Sequence, residues 1–208
     1  MRIAILGGTF DPIHNGHLAA AQSVSSAFRT DEVRFVPAFS APHKQSHDSI
    51  SAFHRFAMVA LAVSDVEGFR VSSIEVDALE KRYTVETLTQ IRSQMPYGDL
   101  LFILGTDMYL EFETWKDYRI VMSLAHLVVV HRPGFSFRED LAPYSVLKKG
   151  QDVTLPAKQA TPSVFYLPFV EQPVSSTAIR EACRRGEDAS ASVPPPVWSY
   201  INKHKLYS

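Results

Sequence analysis

Short apolar runs alternate along this chain with longer segments in which apolar residues recur at helical spacing. The short runs predict strands at 2–6, 32–37, 69–76, 100–104, 126–130 and 164–167. The longer segments predict helices at 18–24, 52–63, 85–95, 110–124 (in two pieces), 176–185 and 197–204. Strands that alternate with helices predict an α/β fold, a doubly wound parallel sheet with helices on both faces.

One segment breaks this alternation. Residues 135–161 combine prolines and glycines with mixed polarity, which predicts an excursion on the surface. The run of three prolines at 194–196 is too short to link two domains. We therefore expect one domain over residues 1–208, with a helical C-terminal portion from about residue 175.

The composition narrows the class of protein. A hydrophobic fraction of 46% is typical of soluble globular proteins, and a net charge of -1 predicts no sequence-independent binding to nucleic acid. No apolar run approaches the roughly 18 residues of a membrane span. No signal peptide is visible, and the single cysteine, Cys183, fits a reducing compartment. We expect a cytoplasmic protein that binds neither nucleic acid nor membranes; a homo-oligomer is compatible with the sequence.

The most informative segment joins the first predicted strand to the first predicted helix. It contains two glycines, a turn, and the histidines His14 and His17 with Gly16 between them. In a parallel sheet such a junction lies at the carboxyl end of the strand, where ligands bind. Backbone N–H groups and a helix N-terminus favour an anion there, and a neighbouring triphosphate would favour charged histidines. The segment therefore predicts a phosphate site that performs chemistry.

Two other interpretations of these histidines remain open at this point. They could be turn residues with satisfied hydrogen bonds. They could also bind zinc, although Asp11 is the only carboxylate nearby and His43, His47 and His54 would have to be brought in by folding. The two common nucleotide-binding motifs, G-x-x-x-x-G-K-[ST] and G-x-G-x-x-G, are both absent, so a nucleotide would be bound in another way.

Two motifs resemble those of a known superfamily. Residues 7–18, G-G-T-F-D-P-I-H-N-G-H-L, are similar to the (H/T)-x-G-H element of the nucleotidylyltransferases related to class I aminoacyl-tRNA synthetases. Residues 174–180, V-S-S-T-A-I-R, are similar to the second element of that superfamily, I-S-S-T-x-[IV]-R. The two elements occur in the expected order, and together they are more specific than either alone.

Further motifs narrow the resemblance to the bacterial nicotinate-nucleotide adenylyltransferases. The stretches similar to that branch are Pro37 with 41–44, 82–88, 104–107 with Phe112 and Trp115, 132–134, and 200–207. Two positions depart from its pattern, because Ala41 replaces a proline and Arg82 replaces a serine. The likeness covers nearly the whole chain apart from the excursion.

The resemblance implies a Rossmann-like fold of the nucleotidylyltransferase type. It also implies adenylyl transfer from ATP to nicotinate mononucleotide, which gives nicotinate adenine dinucleotide and pyrophosphate in NAD biosynthesis. The catalytic residues it implies are His14, His17, Lys44 and Arg180. The ATP-binding residues it implies are Gly7, Gly8, Thr9, Phe10, Gly105, Asp107, Ser176 and Thr177. The residues it implies for nicotinate mononucleotide are Tyr83, Thr84, Trp115 and Arg132.

Some of these roles compete with structural ones. Thr84 is predicted to cap the helix whose first N–H groups would bind the nicotinate carboxylate. Asp107 could accept from a ribose hydroxyl or cap a helix, and Trp115 could stack on the pyridine or belong to the core. Mg²⁺ is expected to arrive with ATP, without dedicated protein ligands.

Alternative functions also remain open from the residues alone. Nicotinamide mononucleotide and phosphopantetheine are the alternative acceptors for an adenylyltransferase with these two superfamily elements. A nucleotide-binding protein without catalytic activity is the alternative from a different class. The combination of His14, His17, Lys44 and Arg180 argues against it, because binding alone would not need all four.

Overall fold

A parallel sheet of seven strands forms the centre of the molecule, in a computed structural model that describes residues 1–40, 49–155, 163–168 and 174–208. Its strands are β1 (Arg2–Gly8), β2 (Glu32–Pro37), β3 (Phe69–Val71), β4 (Asp99–Gly105), β5 (His126–Val130), β6 (Tyr144–Val146) and β7 (Val164–Leu167). Their order across the sheet is β3-β2-β1-β4-β5-β7-β6, and each neighbouring pair is parallel. The predicted doubly wound fold is confirmed.

Helices cover both faces of this sheet. They are α1 (Asn15–Phe28), α2 (Ala52–Val63), α3 (Thr84–Gln94), α4 (Thr106–Leu110), α5 (Tyr118–Leu124), α6 (Ser176–Arg184) and α7 (Pro195–Lys203), with short 3₁₀ turns at Phe112–Thr114 and Ser190–Ser192. Alternate residues of β1 point to opposite faces, so Ala4 and Leu6 pack with α1, α2, α6 and α7, whereas Ile3 and Ile5 pack with α3 and α5. None of the helices in the described ranges is long and apolar enough to cross a membrane.

The order of the strands predicts where a ligand binds. The chain proceeds from β1 through β2 to β3 in one direction, and from β4 through β5 in the other. The switch in direction therefore lies between β1 and β4. Ligands of open α/β sheets bind outside the carboxyl ends of the strands at such a point. The loops after Gly8 and after Gly105 meet there.

Several predicted elements have different bounds in the structure; the helix predicted at 18–24, for example, extends over Asn15–Phe28. The strand predicted at 69–76 ends at Val71, because Ser73 and Asp77 bond to each other: the Asp77 N–H donates to the Ser73 carbonyl (2.7 Å) and the Ser73 hydroxyl donates to Asp77 Oδ2 (2.6 Å). Such local bonds compete with a sheet ladder. Val76 is buried in the resulting turn, which explains the β-branched residue there.

The region predicted to be helical from residue 110 begins earlier, at Thr106, and is divided into α4, a 3₁₀ turn and α5. The predicted excursion contains an additional strand, β6, at the edge of the sheet. Two of the three β6 residues are exposed, so the strand lacks the apolar run that marks the central strands. The excursion otherwise lacks helices in the residues described there, 135–155.

Candidate active site

The loop between β1 and α1 brings the two histidines together. His14 is the residue before the first turn of α1, and His17 lies within that turn. Their rings stack with centroids 3.7 Å apart, and the His14 backbone N–H donates to Nδ1 of His17 over 3.2 Å. Because Nδ1 accepts this bond, the neutral His17 ring carries its proton on Nε2. His17 therefore has a single ring N–H donor, directed away from the loop backbone.

Burial controls the charge of both histidines. His14 is 3% exposed, and neither of its ring nitrogens has a hydrogen-bond partner among the described residues. Burial, aided by the charge of Arg132, lowers the pKa of His14 to about 4. Burial also lowers the pKa of His17, and the nearby His14 and Arg132 lower it further. Both rings are thus neutral near pH 7 in this structure, so each can take part in hydrogen bonds without carrying a net charge.

The low pKa of His14 predicts a loss of stability in acid. The unfolded chain binds a proton at His14 below pH 6.5, whereas the folded chain resists it until about pH 4. The free energy of unfolding should therefore fall as the pH falls from 6.5 to 4, by up to about 3 kcal/mol from this group. Urea unfolding across that range should show a shallower pH dependence for His14→Asn than for the natural protein. Equal slopes would contradict the assignment of a depressed pKa.

The second motif lies against the same loop. Ser175 caps α6 by accepting from the Ala178 N–H (3.2 Å), and the Ser176 hydroxyl donates to the Pro12 carbonyl over 3.0 Å. Nη1 of Arg180 donates to the Asp11 carbonyl over 2.8 Å, across 169 positions of sequence. Its other terminal nitrogen lies 3.4 Å from the Thr177 hydroxyl. The two elements that are far apart in the sequence thus form one site.

The glycines of the first motif lie at the end of β1. The left-handed residue of the following loop is Phe10, with φ of 50°. A Cβ atom on Gly8 would lie 3.2 Å from the ring of Phe10, so the small residue makes room for that ring. Phe10 is buried and packs edge-on against His17, with centroids 5.0 Å apart. Its side chain therefore supports the histidine ring.

The segments that follow β4 and β5 contribute an acidic and a basic side chain, Asp107 in α4 and Arg132 after β5. Oδ2 of Asp107 accepts from Nη1 of Arg132 over 2.5 Å, while Oδ1 is buried without a partner among the described residues. Gly105, not Asp107, precedes the first turn of α4, so the capping role considered for Asp107 is wrong. A Cβ on Gly105 would collide with Asp107 Oδ1, which explains the glycine. Oδ1 is thus a buried acceptor that lacks a donor among the described residues.

The start of α3 carries two residues that the resemblance implies for nicotinate mononucleotide, Tyr83 and Thr84. Tyr83, not Thr84, precedes this helix, so the predicted cap is displaced by one residue and Thr84 supplies the first helical N–H. The Tyr83 N–H donates to the Glu86 side chain over 3.0 Å. Lys116 links this helix to the segment after the 3₁₀ turn: its Nζ lies 2.8 Å from Glu86 Oε1 and 4.5 Å from the centre of the Tyr83 ring.

Trp115 belongs partly to the core. Its ring packs against Phe112 and Phe102, with centroids 5.2 and 6.1 Å away, and the residue is only partly buried. Both interpretations of this tryptophan are therefore compatible, since one part of the ring packs inward and another part stays accessible.

Lys44, one of the predicted catalytic residues, lies outside the described residues. His43 and His47, which were considered as zinc ligands, also lie outside them. Among residues 1–40, 49–155, 163–168 and 174–208, no three His, Cys, Asp or Glu side chains are grouped so that they could hold a metal ion.

Comparison with known proteins decides the family. Residues 5–182 match the family model described as cytidylyltransferase-like. A protein of Geobacter metallireducens, named a probable nicotinate-nucleotide adenylyltransferase, is 38% identical over 100% of this chain and 99% of its own length. A protein of Tropheryma whipplei with the same name is 38% identical over 97% of each chain.

This chain belongs to the cytidylyltransferase-like family and, within it, to the nicotinate-nucleotide adenylyltransferases. A solved structure has the same fold: the nicotinic acid mononucleotide adenylyltransferase of Plasmodium falciparum complexed with NaAD. It superposes with a TM-score of 0.77 over 99% of this chain and 97% of the other, at 20% identity.

The motifs alone did not point to three residues that hold the loop between β1 and α1 in place. These are the buried residues Arg55 and Asp11 and the partly buried Tyr207, which bond to the β1–α1 loop or belong to it. The pattern of α2 contains a signal for the first of them: helical spacing places Arg55 with Ala52, Met58 and Val59 on the buried face. A charged residue on such a face must find polar partners inside the protein.

Proposed function

We propose that this chain transfers the adenylyl group of ATP to nicotinate mononucleotide. The observation that carries the proposal is the meeting of His14, His17 and Arg180 on one loop at the switch point of the sheet. Relatives named nicotinate-nucleotide adenylyltransferase that align along the whole chain support the choice of acceptor.

The reaction needs no nucleophile from the protein. An oxygen of the 5′-phosphate of nicotinate mononucleotide attacks the α-phosphorus of ATP, and the bond from that phosphorus to the bridging oxygen breaks. Pyrophosphate leaves with the electron pair, and the new phosphoanhydride completes the dinucleotide. The protein contributes position and charge stabilisation, as in phosphoryl transfer generally.

Each motif residue supplies one part of this stabilisation. The Nε2–H of His17 donates to an oxygen on the α-phosphate, where negative charge accumulates, because Nδ1 is engaged with the backbone. The unpartnered ring nitrogens of His14 serve the same phosphate region. Arg180 and the first N–H groups of α6, at Ser176 and Thr177, bind the β- and γ-phosphates. Lys44 is proposed for the same phosphates from the sequence motif alone.

The remaining residues bind the two nucleosides. The backbone from Gly7 to Phe10 receives ATP, and the unpaired Oδ1 of Asp107 accepts from a ribose hydroxyl. The first N–H groups of α3, at Thr84, bind the carboxylate of the nicotinate ring, with Tyr83 and Trp115 beside the pyridine. The charge of Arg132, which follows β5, assists there.

Mg²⁺ is proposed to accompany ATP, held by phosphate oxygens and water. Asp107 has one oxygen without a partner among the described residues, but its other oxygen is paired with Arg132, so no protein ligand is proposed for the ion. When bound, the ion would neutralise charge on the departing pyrophosphate. The cytoplasmic location expected from the sequence stays a prediction.

Release of pyrophosphate in the presence of ATP and one acceptor at a time tests this proposal. We expect rapid release with nicotinate mononucleotide, slower release with nicotinamide mononucleotide and none with phosphopantetheine. ATP labelled at the α-phosphorus should deliver its label to the dinucleotide. A preference for either of the other two acceptors would replace the proposed substrate. Binding of ATP without release under any condition would instead favour a non-catalytic nucleotide-binding protein.

A further inference from the structure

A buried guanidinium lies directly beneath the loop that carries the histidines. Arg55, in the first turn of α2, is 2% exposed, which is rare for an arginine. Its three nitrogens donate to three backbone carbonyls: Nη1 to Thr9 (2.6 Å), Nη2 to Phe39 (2.9 Å) and Nε to Ile50 (3.3 Å). One side chain thus satisfies three acceptors that belong to three different segments.

Those three carbonyls belong to segments next to the loop that carries the histidines, or to that loop itself. Thr9 follows β1 and begins the loop that ends at His14. Phe39 follows β2, and Ile50 precedes the capping residue of α2. Arg55 therefore ties the histidine loop to the segment that leaves the neighbouring strand, at the carboxyl edge of the sheet.

The same loop is held from the end of the chain. The carboxylate of Asp11 is buried and accepts from the Tyr207 hydroxyl (2.7 Å) and from the Ser49 hydroxyl (3.1 Å). Burial raises the pKa of Tyr207, as does its contact with Asp11, so the hydroxyl stays a donor. The carbonyl of Asp11 is the group that receives Arg180. The clamp, formed by Arg55, Asp11 and Tyr207, thus holds the first half of the loop at two points, Thr9 and Asp11.

We propose that Arg55 is a positioning residue for adenylyl transfer, which fixes the β1–α1 loop so that His14, His17 and Arg180 converge on the triphosphate of ATP. This inference rests on the proposed function. Arg55 does not touch the substrate itself, because it is enclosed beneath the loop. A displacement of about 1 Å at reacting groups lowers rates by about 100-fold, so a loop fixed by three directed bonds matters more for the rate than for ATP binding.

The chain contains a matched control for this arginine. Arg92, in α3, also donates to backbone carbonyls: Nη1 to Gly98 (2.7 Å) and Nε to Leu124 (3.2 Å). Gly98 precedes β4 and Leu124 lies just before β5, so these bonds are at the amino edge of the sheet, opposite the site. The two arginines share the same kind of contact and differ in location; Arg92 is also less buried than Arg55.

The test compares Arg55→Lys with Arg92→Lys by thermal unfolding and by steady-state kinetics with ATP and nicotinate mononucleotide. Lysine keeps the charge but cannot reach three carbonyls from one planar group. Both variants should lose stability, but only Arg55→Lys should lose kcat, by about 100-fold, with KM for ATP changed by less than about threefold. Unchanged kcat in a folded Arg55→Lys, or a similar loss of kcat in Arg92→Lys, would overturn the proposal.

A milder variant keeps the test decisive if Arg55→Lys does not fold. Tyr207→Phe removes one donor to Asp11 and leaves the ring, so kcat should fall about fivefold while KM for ATP stays constant. A Tyr207→Phe protein with unaltered kcat would also count against the clamp. The natural protein is assayed first: if it forms no dinucleotide from nicotinate mononucleotide, the proposed function fails, whereas a failure confined to these variants concerns the positioning role alone.

Discussion

Replacement of His17 with Asn is expected to lower kcat by about 100- to 1,000-fold while KM for ATP changes by less than about threefold. The side chain of Asn can place an oxygen where Nδ1 of the histidine accepts from the His14 N–H, so the start of α1 keeps its local bond. The Asn side chain has no group at the position of Nε2. The loss of kcat therefore measures the contribution of the donor that we assign to the α-phosphate in the transition state.

His17→Gln is the matched control, because its amide N–H can approach the position of Nε2. This variant should recover part of kcat relative to His17→Asn, and both should unfold within a few degrees of the natural protein. The measurement is initial-rate kinetics with varied ATP at saturating nicotinate mononucleotide. If His17→Asn raised KM for ATP as much as it lowered kcat, the histidine would bind the ground state and the assigned role would be wrong.

Replacement of Arg180 with Met should lower kcat/KM for ATP by about 1,000-fold. The guanidinium donates to the Asp11 carbonyl and lies beside the Thr177 hydroxyl, so it is fixed at the entrance of the phosphate site. Its loss removes a positive charge from the developing pyrophosphate and leaves a carbonyl without its donor. Arg180→Lys keeps the charge but loses the planar pair of donors, and it should recover only part of the rate.

Arg185→Met is the control on the same helical segment. Arg185 is exposed and pairs with Glu187 over 2.7 Å, so its removal should leave kcat/KM within about twofold of the natural value. Equal losses in the two methionine variants would show that a general loss of positive charge, rather than the placement of Arg180, explains the effect.

The central sheet could be predicted because its inner strands are buried on both faces. Continuous apolar runs such as 100–104, 126–130 and 164–167 are typical of strands whose two faces are both covered, and all three are strands in the structure. Prediction failed where side chains bond to the local backbone. The bonds between Ser73 and Asp77 end β3 early, and the strand β6 at the exposed edge has no apolar pattern to reveal it.

The motifs predicted residues of the candidate site, but they did not predict the residues that hold its loop in place. The motifs indicated His14, His17 and Arg180, but spacing alone could not show that the Arg180 guanidinium reaches the Asp11 carbonyl. Arg55 and Tyr207 act through bonds between segments that only the folded chain brings together. The expectation of charged histidines beside phosphate also left out burial, which lowers the pKa of both rings in this structure.

A direct competition between two acceptors tests the central claim. Equal concentrations of nicotinate mononucleotide and nicotinamide mononucleotide are mixed with limiting ATP and Mg²⁺, and the two dinucleotides are separated and quantified. Their ratio equals the ratio of kcat/KM values, independent of the amount of active protein. We predict at least about a tenfold excess of nicotinate adenine dinucleotide, the difference expected from about 1.4 kcal/mol of charge-assisted bonding to the carboxylate at Thr84. An equal mixture, or an excess of the amide dinucleotide, would contradict the account.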